Sequence, residues 1–381
     1  MKVLVVTNDF PPKVGGVNYY VANLLREFPP GEVTVFAPDW PGAESFDRAF
    51  TQKVVRWPVQ SIYPTPRVRD AVVELVSEAR PDILLFGSTL PFALLGRHVR
   101  RRLGVPYAAF AHGVEIWAAK VPVATRVLRV LAEDAALFTC VSQWQADLLQ
   151  KAIGPRARTE LLPPGIDAER FHPGVSTAAV RRRHDLGEGP VICCVSRLVL
   201  RKGQDQVIRA LPRIAEEFPG VRFLVVGSGP DYARLRALAE RKKVEDRVVF
   251  AGEVPYDELP MYFRAGDVFA MPNRTRKWGL EVEAFGAVFL QAAAVGRPSV
   301  AGDSGGAPAA VWRGETGLVV DGTDRDAVGE AILSLLRAPE RAEKMGALGA
   351  DRVRRDLTWK ALSERLRDLL ADALGSLPSE S

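Results

Sequence analysis

Residues 271–311 read MPNRTRKWGLEVEAFGAVFLQAAAVGRPSVAGDSGGAPAAV, and their grammar decides the fold. An apolar run, Val268 to Met271, leads in as a strand and gives way to a polar, basic loop from Asn273 to Lys277. Two carboxylates follow, Glu281 and Glu283, then a turn from Ala284 to Ala287 containing Gly286. A short apolar helix is expected from Val288 to Val295, a second strand from Ser299 to Ala301, and a glycine-rich loop from Gly302 to Ala307. Strand, loop, helix and strand in this order make a βαβ unit of a parallel sheet. The amides opening such a helix are a natural seat for phosphate.

Working outward, the same alternation fills the chain. Lys2 to Thr7 is a buried-strand run, followed by Gly15-Gly16 and a helix through Arg26. Strands are expected at 33–36, 54–57, 83–86 and 107–110, with helices at 68–78 and 91–103 between them. Leu162 to Pro173 breaks the regularity and is the expected linker. Beyond it the grammar repeats, with strands at 191–196, 222–226, 248–251, 268–271, 299–301 and 317–320. The expected architecture is α/β, with two doubly wound Rossmann-like domains, 1–172 and 173–358, facing each other across a cleft. A last helix, 359–374, is placed to return to the first domain, and Gly375 to Ser381 is expected to be unstructured.

Composition narrows the class. The 381 residues exceed one comfortable core, and 47% hydrophobic with 25% charged residues describes an ordinary globular chain. A net charge of +5 permits an anionic partner without demanding one. The three cysteines, Cys140, Cys193 and Cys194, lie in strand-like runs, which suits reduced thiols in a cytoplasmic protein. No run reaches the length of a membrane span, and Met1 is followed directly by a strand rather than a signal peptide.

Candidate chemistry sits at strand ends. Arg197 and Lys202 follow the strand at 191–196 in a loop that opens a helix at Gly203, so two cations stand by a helix start as a diphosphate clamp. Gly15-Gly16 and Gly227-Ser228-Gly229 are further glycine turns after strands, suited to close approach of a phosphate or to a simple tight turn. Glu253 and Val254 end the next strand and offer a carboxylate and backbone to a nucleobase edge, with Asp257 nearby. His112 follows the strand at 107–110 and points to the crevice where ligands bind, with Glu115 and Trp117 beside it. The segment 117–130 interleaves Lys120, Arg126 and Arg129 with Val and Leu. It suits an anionic membrane surface or, more simply, a solvated helix face.

Two spellings are set aside. Gly302-Asp303-Ser304-Gly305-Gly306 matches the nucleophile loop of trypsin-like proteases, but no triad partner and no antiparallel pattern accompany it. Asp324-Arg325-Asp326 mimics a metal motif, yet it stands where a helix begins and reads as a cap. The four histidines are scattered, without metal-ligand spacing.

Together these stretches resemble the retaining glycosyltransferases of the GT-B fold that use sugar nucleotides, over nearly the whole chain. The marks are Gly15-Gly16, His112, Arg197 with Lys202, Gly227-Ser228-Gly229, and Glu283-Ala284-Phe285-Gly286 running into the helix. Asn8-Asp9-Phe10-Pro11-Pro12, Ser196 to Val199 with Arg201 to Asp205, Phe269 to Pro272 with Arg274-Thr275-Arg276, and Ala301-Gly302 with Ser304 to Pro308 are similar to the phosphatidylinositol monomannoside mannosyltransferases.

The resemblance implies GDP-mannose as donor, a glycolipid or phospholipid acceptor and retention of configuration. It also implies no required metal or cofactor, no nucleic-acid partner, and a cytoplasmic enzyme peripheral to the inner face of the cell membrane. It gives His112, Arg197, Lys202 and Glu283 catalytic roles: Glu283 holding sugar hydroxyls, the two cations the departing diphosphate, and His112 the sugar. Gly15, Gly16, Gly227, Glu253, Val254, Phe285, Gly286, Ala287, Val288 and residue 291 line the donor. One departure stands out: the family has a second glutamate eight positions after the first, and here that position is Gln291, which lacks the charge that strengthens bonds to ribose hydroxyls. Replacing Arg197 or Lys202 by alanine is expected to remove transfer and leave the fold intact. A related enzyme using a UDP-sugar, a nucleotide-sugar epimerase and a silent sugar-nucleotide-binding protein are the rival readings.

Overall fold

Thirteen strands, all pairing in parallel, form two sheets in the computed structural model, which describes residues 1–13, 15–154 and 157–376. The first sheet has the order β3-β2-β1-β4-β5-β6-β7. Its strands are β1 Val3–Val6, β2 Val33–Pro38, β3 Lys53–Trp57, β4 Ile83–Phe86, β5 Tyr107–Ala111, β6 Leu137–Cys140 and β7 Thr159–Leu161. The second has the order β10-β9-β8-β11-β12-β13. It is built from β8 Val191–Val195, β9 Arg222–Val226, β10 Val248–Gly252, β11 Val268–Met271, β12 Ser299–Gly302 and β13 Gly317–Val320.

The central strands are continuous apolar runs because helices cover both faces of a parallel sheet. Every residue of β1, β4, β5, β8 and β11 is buried. Each such Val, Leu or Ile contributes roughly 1.5–3 kcal/mol when taken fully out of water. Cys140 at the end of β6 and Cys193 and Cys194 in β8 are free, buried thiols, and burial pushes the Cys140 thiol up to about 12.

The chain divides into two compact units, 1–165 with 359–381, and 166–358. The division falls inside the 162–173 linker but earlier than residue 172. The reason is Phe171, fully buried against Tyr256 and Phe263 of the second unit. The last helix, Trp359–Gly375, packs in the first unit, where Trp359 lies 6.0 Å from Tyr20 and Arg367 pairs with Glu32. Gly375 closes that helix instead of beginning a tail, and 377–381 lie outside the described residues.

Several short elements escape the sequence reading, among them the helices Ala43–Ala49, Ala178–Arg183 and Ala307–Val311 and the edge strand β7, whose Thr159-Glu160-Leu161 is half-buried and carries little apolar signal. The basic segment 117–130 is not one helix. Val114–Ala118 ends before Pro122, which starts the helix Pro122–Asp134, since proline fits the first turn of a helix and not its interior.

Candidate active site

In the second sheet the strand order reverses at β8, which has β9 on one side and β11 on the other. Loops leaving the carboxyl ends of β8 and β11 therefore diverge and leave a crevice, the usual ligand position in an open α/β sheet. The β8 loop carries Arg197 and Lys202, and the β11 loop carries Glu283. Across this switch point Lys202 Nζ donates to Glu283 Oε2 at 2.6 Å, with both side chains only 11% exposed. Sequence separation of 81 residues hid this pair, although both members were marked. Arg197, by contrast, is exposed and its guanidinium makes no ion pair among the described residues.

The pair rests on close-packed backbone. Gly203 starts the helix Gln204–Glu217 at φ +80, where a Cβ would lie 2.7 Å from the Pro272 carbonyl carbon. A Cβ on Gly302, at the end of β12, would stand 2.7 Å from both the carbonyl carbon and the nitrogen of Asn273. Asn273 is itself buried, its Oδ1 accepting from the Gly302 amide at 3.2 Å and its Nδ2 donating to Ser304 O at 3.4 Å. Arg274 clamps the same loop to the Gln204–Glu217 helix through Asp205, with a fork of bonds at 2.9 and 3.0 Å. Asn273 and Asp205 are given no role by the sequence reading; the fold shows them bracing the loops around Lys202 and Glu283.

Gly286, at φ +86, opens the helix Ala287–Ala294, so the Phe285 to Val288 turn presents a helix start beside Glu283. Gln291 lies one turn further along the Ala287 face, half-buried, with no side-chain hydrogen bond among the described residues. Gly227, at φ +121, lets the β9 turn lie against the β8 loop, where a Cβ would come 3.0 Å from the Ser196 carbonyl carbon. The Ser228 carbonyl accepts from the Leu198 amide at 2.8 Å, so this turn shapes the Arg197 loop. Ser228 also donates to the Glu253 carboxylate, which is exposed beside half-buried Val254. Asp257 turns elsewhere, to Arg170.

The lesser candidates resolve plainly. Glu281 lies on the surface with Arg276 and Lys277, and the Lys277 ammonium holds its carboxyl below the usual range. Ser304 is buried against Thr275 at 3.0 Å, in no position to serve as a nucleophile. Asp324 caps its helix by accepting from the amides of Asp326 and Ala327. Among the described residues no three His, Cys, Asp or Glu side chains gather as metal ligands do.

In the first unit His112 follows β5 and packs 4.7 Å from the Tyr20 ring and 5.5 Å from Phe110. Its Nε2 is sealed from water without a partner, and a bond to the Gly87 backbone occupies the ring's other nitrogen. Desolvation, partly opposed by that bond, lowers the ring to about 4, so it is neutral at pH 7 with an acceptor at Nε2. Glu115 is buried and accepts from the Gly113 amide at 3.0 Å, which braces the turn after His112; its other oxygen is unpartnered. Gly15 and Gly16 open the helix Gly16–Arg26, and a Cβ on Gly15 would sit 2.8 Å from Asn18 Oδ1.

The His112 shift has a stability consequence. Its folded value lies below the unfolded value near 6.5, so its contribution is full above pH 6.5 and is lost as pH falls toward 4. Chemical unfolding at pH 7 and pH 4.5 is expected to show His112→Asn losing less stability on acidification than the wild type, by about 2 kcal/mol. Equal losses would contradict a neutral buried ring.

Residues 177–352 match the glycosyl transferases group 1 family, and residues 14–170 match glycosyltransferase family 4. A GDP-mannose-dependent alpha-(1-6)-phosphatidylinositol monomannoside mannosyltransferase of Mycolicibacterium smegmatis is 42% identical over 377 residues, covering 97% of this chain and 98% of that protein. A GDP-mannose-dependent monoacylated alpha-(1-6)-phosphatidylinositol monomannoside mannosyltransferase of Corynebacterium glutamicum is 37% identical over 97% of each chain. Among solved structures, a sucrose-phosphate synthase from Thermosynechococcus elongatus shares the fold at TM-score 0.79 and 22% identity, over 99% of this chain and 100% of that one. With its two parallel-sheet Rossmann-like units, the chain belongs to the group 1 glycosyltransferases of the GT-B fold.

Proposed function

We propose that this glycosyltransferase moves mannose from GDP-mannose, with retention, onto a phosphatidylinositol mannoside-type glycolipid. It would work as a cytoplasmic enzyme peripheral to the inner face of the cell membrane. The observation that carries this reading is the match along nearly the whole chain to relatives bearing that donor and acceptor in their names. No helix among the described residues is long and apolar enough to cross a membrane, which is compatible with surface attachment.

The chemistry proposed for the second unit starts from Lys202 and Glu283. An ammonium has three N–H donors, so Lys202 can keep Glu283 and still reach phosphate oxygens. With Arg197 it would offset the charge growing on the departing GDP, a role that needs no resident metal. Glu283, held in place by Lys202, would accept sugar hydroxyls. The turn Phe285, Gly286, Ala287 and Val288 would receive the diphosphate, Gln291 the ribose, and Glu253 with Val254 the guanine edge, beside the turn at Gly227. Neutral His112 would accept a sugar hydroxyl at Nε2, and Gly15-Gly16 would approach the phosphate. With Glu283 assigned to holding sugar hydroxyls rather than to a nucleophile's role, front-face attack assisted by the leaving phosphate is the favoured route.

Calorimetric titration with GDP, UDP, GDP-mannose and UDP-glucose tests the donor side, in buffer with and without a chelator. GDP and GDP-mannose are expected to bind more tightly than the uridine compounds, unaffected by the chelator. Failure to bind any of the four would defeat the reading, and tighter uridine binding would move it to a UDP-sugar enzyme.

A further inference from the structure

The second unit has a cavity at the end of its sheet opposite the candidate active site, with a volume of about 170 Å³. Pro190 leads into β8 and Val268 opens β11, so the cavity meets the amino ends of the two strands whose carboxyl ends carry Lys202 and Glu283. β8 has five residues, and at about 3.3 Å per residue it puts roughly 15 Å between the two sites. The facing wall is Leu335 and Leu336, which close the helix Arg325–Leu336, and Ala342 in the helix Pro339–Asp356. That wall is fixed. The Pro339–Asp356 helix lies so close to the Gly296 turn that a Cβ on Gly346 would be 2.6 Å from the Gly296 carbonyl carbon. A dry space of about 150 Å³ takes a molecule the size of benzene, so this cavity suits a small organic body and not a nucleotide.

Three charged side chains border the apolar space: Arg297, Asp267 and Glu343. Arg297 is 20% exposed and donates through Nε and Nη2 to the Arg264 carbonyl at 3.2 and 2.9 Å, which leaves Nη1 without a hydrogen bond among the described residues. Asp267 stands 3.8 Å from it, beyond hydrogen-bond reach. The Oδ2 of Asp267 accepts from the Val191 amide at 2.8 Å, and its Oδ1 accepts no hydrogen bond among the described residues. Glu343 is exposed and makes no ion pair among them. Burial, with the Arg264 guanidinium beside it, brings Arg297 down to about 10; it is still a cation at pH 7, and Asp267 and Glu343 compensate it only in part.

We infer that this cavity binds an α-amino acid with an aliphatic side chain. Its carboxylate would meet Arg297 Nη1, its ammonium Asp267 and Glu343, and its side chain Val268, Leu335 and Leu336. The choice of a zwitterion rests on the charges. A plain anion would meet the two carboxylates, and a plain amine would meet Arg297 with Arg264 and Arg181 behind it. Only a ligand carrying both signs leaves neither uncompensated on leaving water.

Calorimetric titration of the full chain with L-leucine tests the site, beside isocaproate and isoamylamine, which each keep one of its two charges. Leucine is expected to bind and to raise the melting temperature, and the two half-molecules to bind more weakly. Arg297→Gln is expected to weaken leucine binding about ten-fold or more, as loss of a hydrogen bond from a charged group does. Glu343→Lys, at an exposed position that leaves folding undisturbed, is expected to weaken it by repelling the ammonium. Arg197→Ala, at the other end of the sheet, should bind leucine as the wild type does. No binding of leucine, binding that survives both Arg297→Gln and Glu343→Lys, or loss in Arg197→Ala would overturn the assignment. Isocaproate or isoamylamine binding as tightly as leucine would overturn the zwitterion.

Discussion

Lys202→Ala is expected to reduce transfer about 1,000-fold, the upper range for loss of one group that stabilises charge in the transition state. Unlike the expectation from sequence, it is also expected to cost about 3 kcal/mol of stability. The reason is Glu283, whose carboxylate is 11% exposed and would be left without its cation. Desolvation of an unpaired carboxylate outweighs the loss of lysine packing, so the partner and not the lysine sets the size of the effect. Lys202→Met combined with Glu283→Gln removes both charges and is expected to regain most of the stability while remaining inactive. Arg197→Ala separates the two consequences from the other side. Its guanidinium is exposed and unpaired among the described residues, so stability should change by less than about 0.5 kcal/mol while transfer still falls. Rates measured beside denaturant unfolding of the three variants and the wild type check this. An unchanged unfolding midpoint for Lys202→Ala would show that the ion pair contributes nothing, and near-normal turnover would remove it from the chemistry.

Gly302→Ala is expected to unfold or severely destabilise the second unit, by about 3–5 kcal/mol, with activity lost in consequence. The new methyl would need the space of the Asn273 main chain, which is fixed by Asn273's own side chain and by the Arg274–Asp205 fork. Neither strand end can retreat, because β12 pairs on one side with β11 and on the other with β13. Gly104→Ala is the control: unlike Gly302 it has positive φ, +71, but its Cβ would meet open space. Its cost should be only about 1 kcal/mol, the backbone contribution alone. Thermal unfolding of the pair measures the difference, and equal small losses would mean that the β12 end is free to move.

The sheets were legible because parallel strands buried on both faces spell continuous apolar runs. Val191 to Val195 and Val268 to Met271 could hardly be anything else. The edge strand β7 was not legible, since Glu160 and Thr159 face partly to solvent and interrupt the run. Pro122 marked the break in the basic segment, but interleaved Lys, Arg and Val on both sides of it read as one amphipathic pattern. At the candidate site, strand-end position singled out Lys202 and Glu283 separately. Their pairing depends on strand order, which places β11 next to β8 rather than next to β10, and no local pattern encodes that. The same holds for Asn273 and Asp205, ordinary polar residues in sequence whose weight comes from the close approach of Gly302 to the Asn273 main chain and from the Arg274–Asp205 fork. The neutral state of His112 is a property of its burial, and the one-dimensional pattern carries no burial for a residue just past a strand.

The most direct test of mannosyl transfer is to supply GDP-mannose and, separately, UDP-glucose to the purified chain with vesicles containing phosphatidylinositol monomannoside. The product's rate of formation and anomeric configuration are then measured. The expected result is an α-mannoside formed from GDP-mannose alone, with Lys202→Ala inactive in parallel. A β-linked product, transfer only from the uridine donor, or no transfer from either would contradict it.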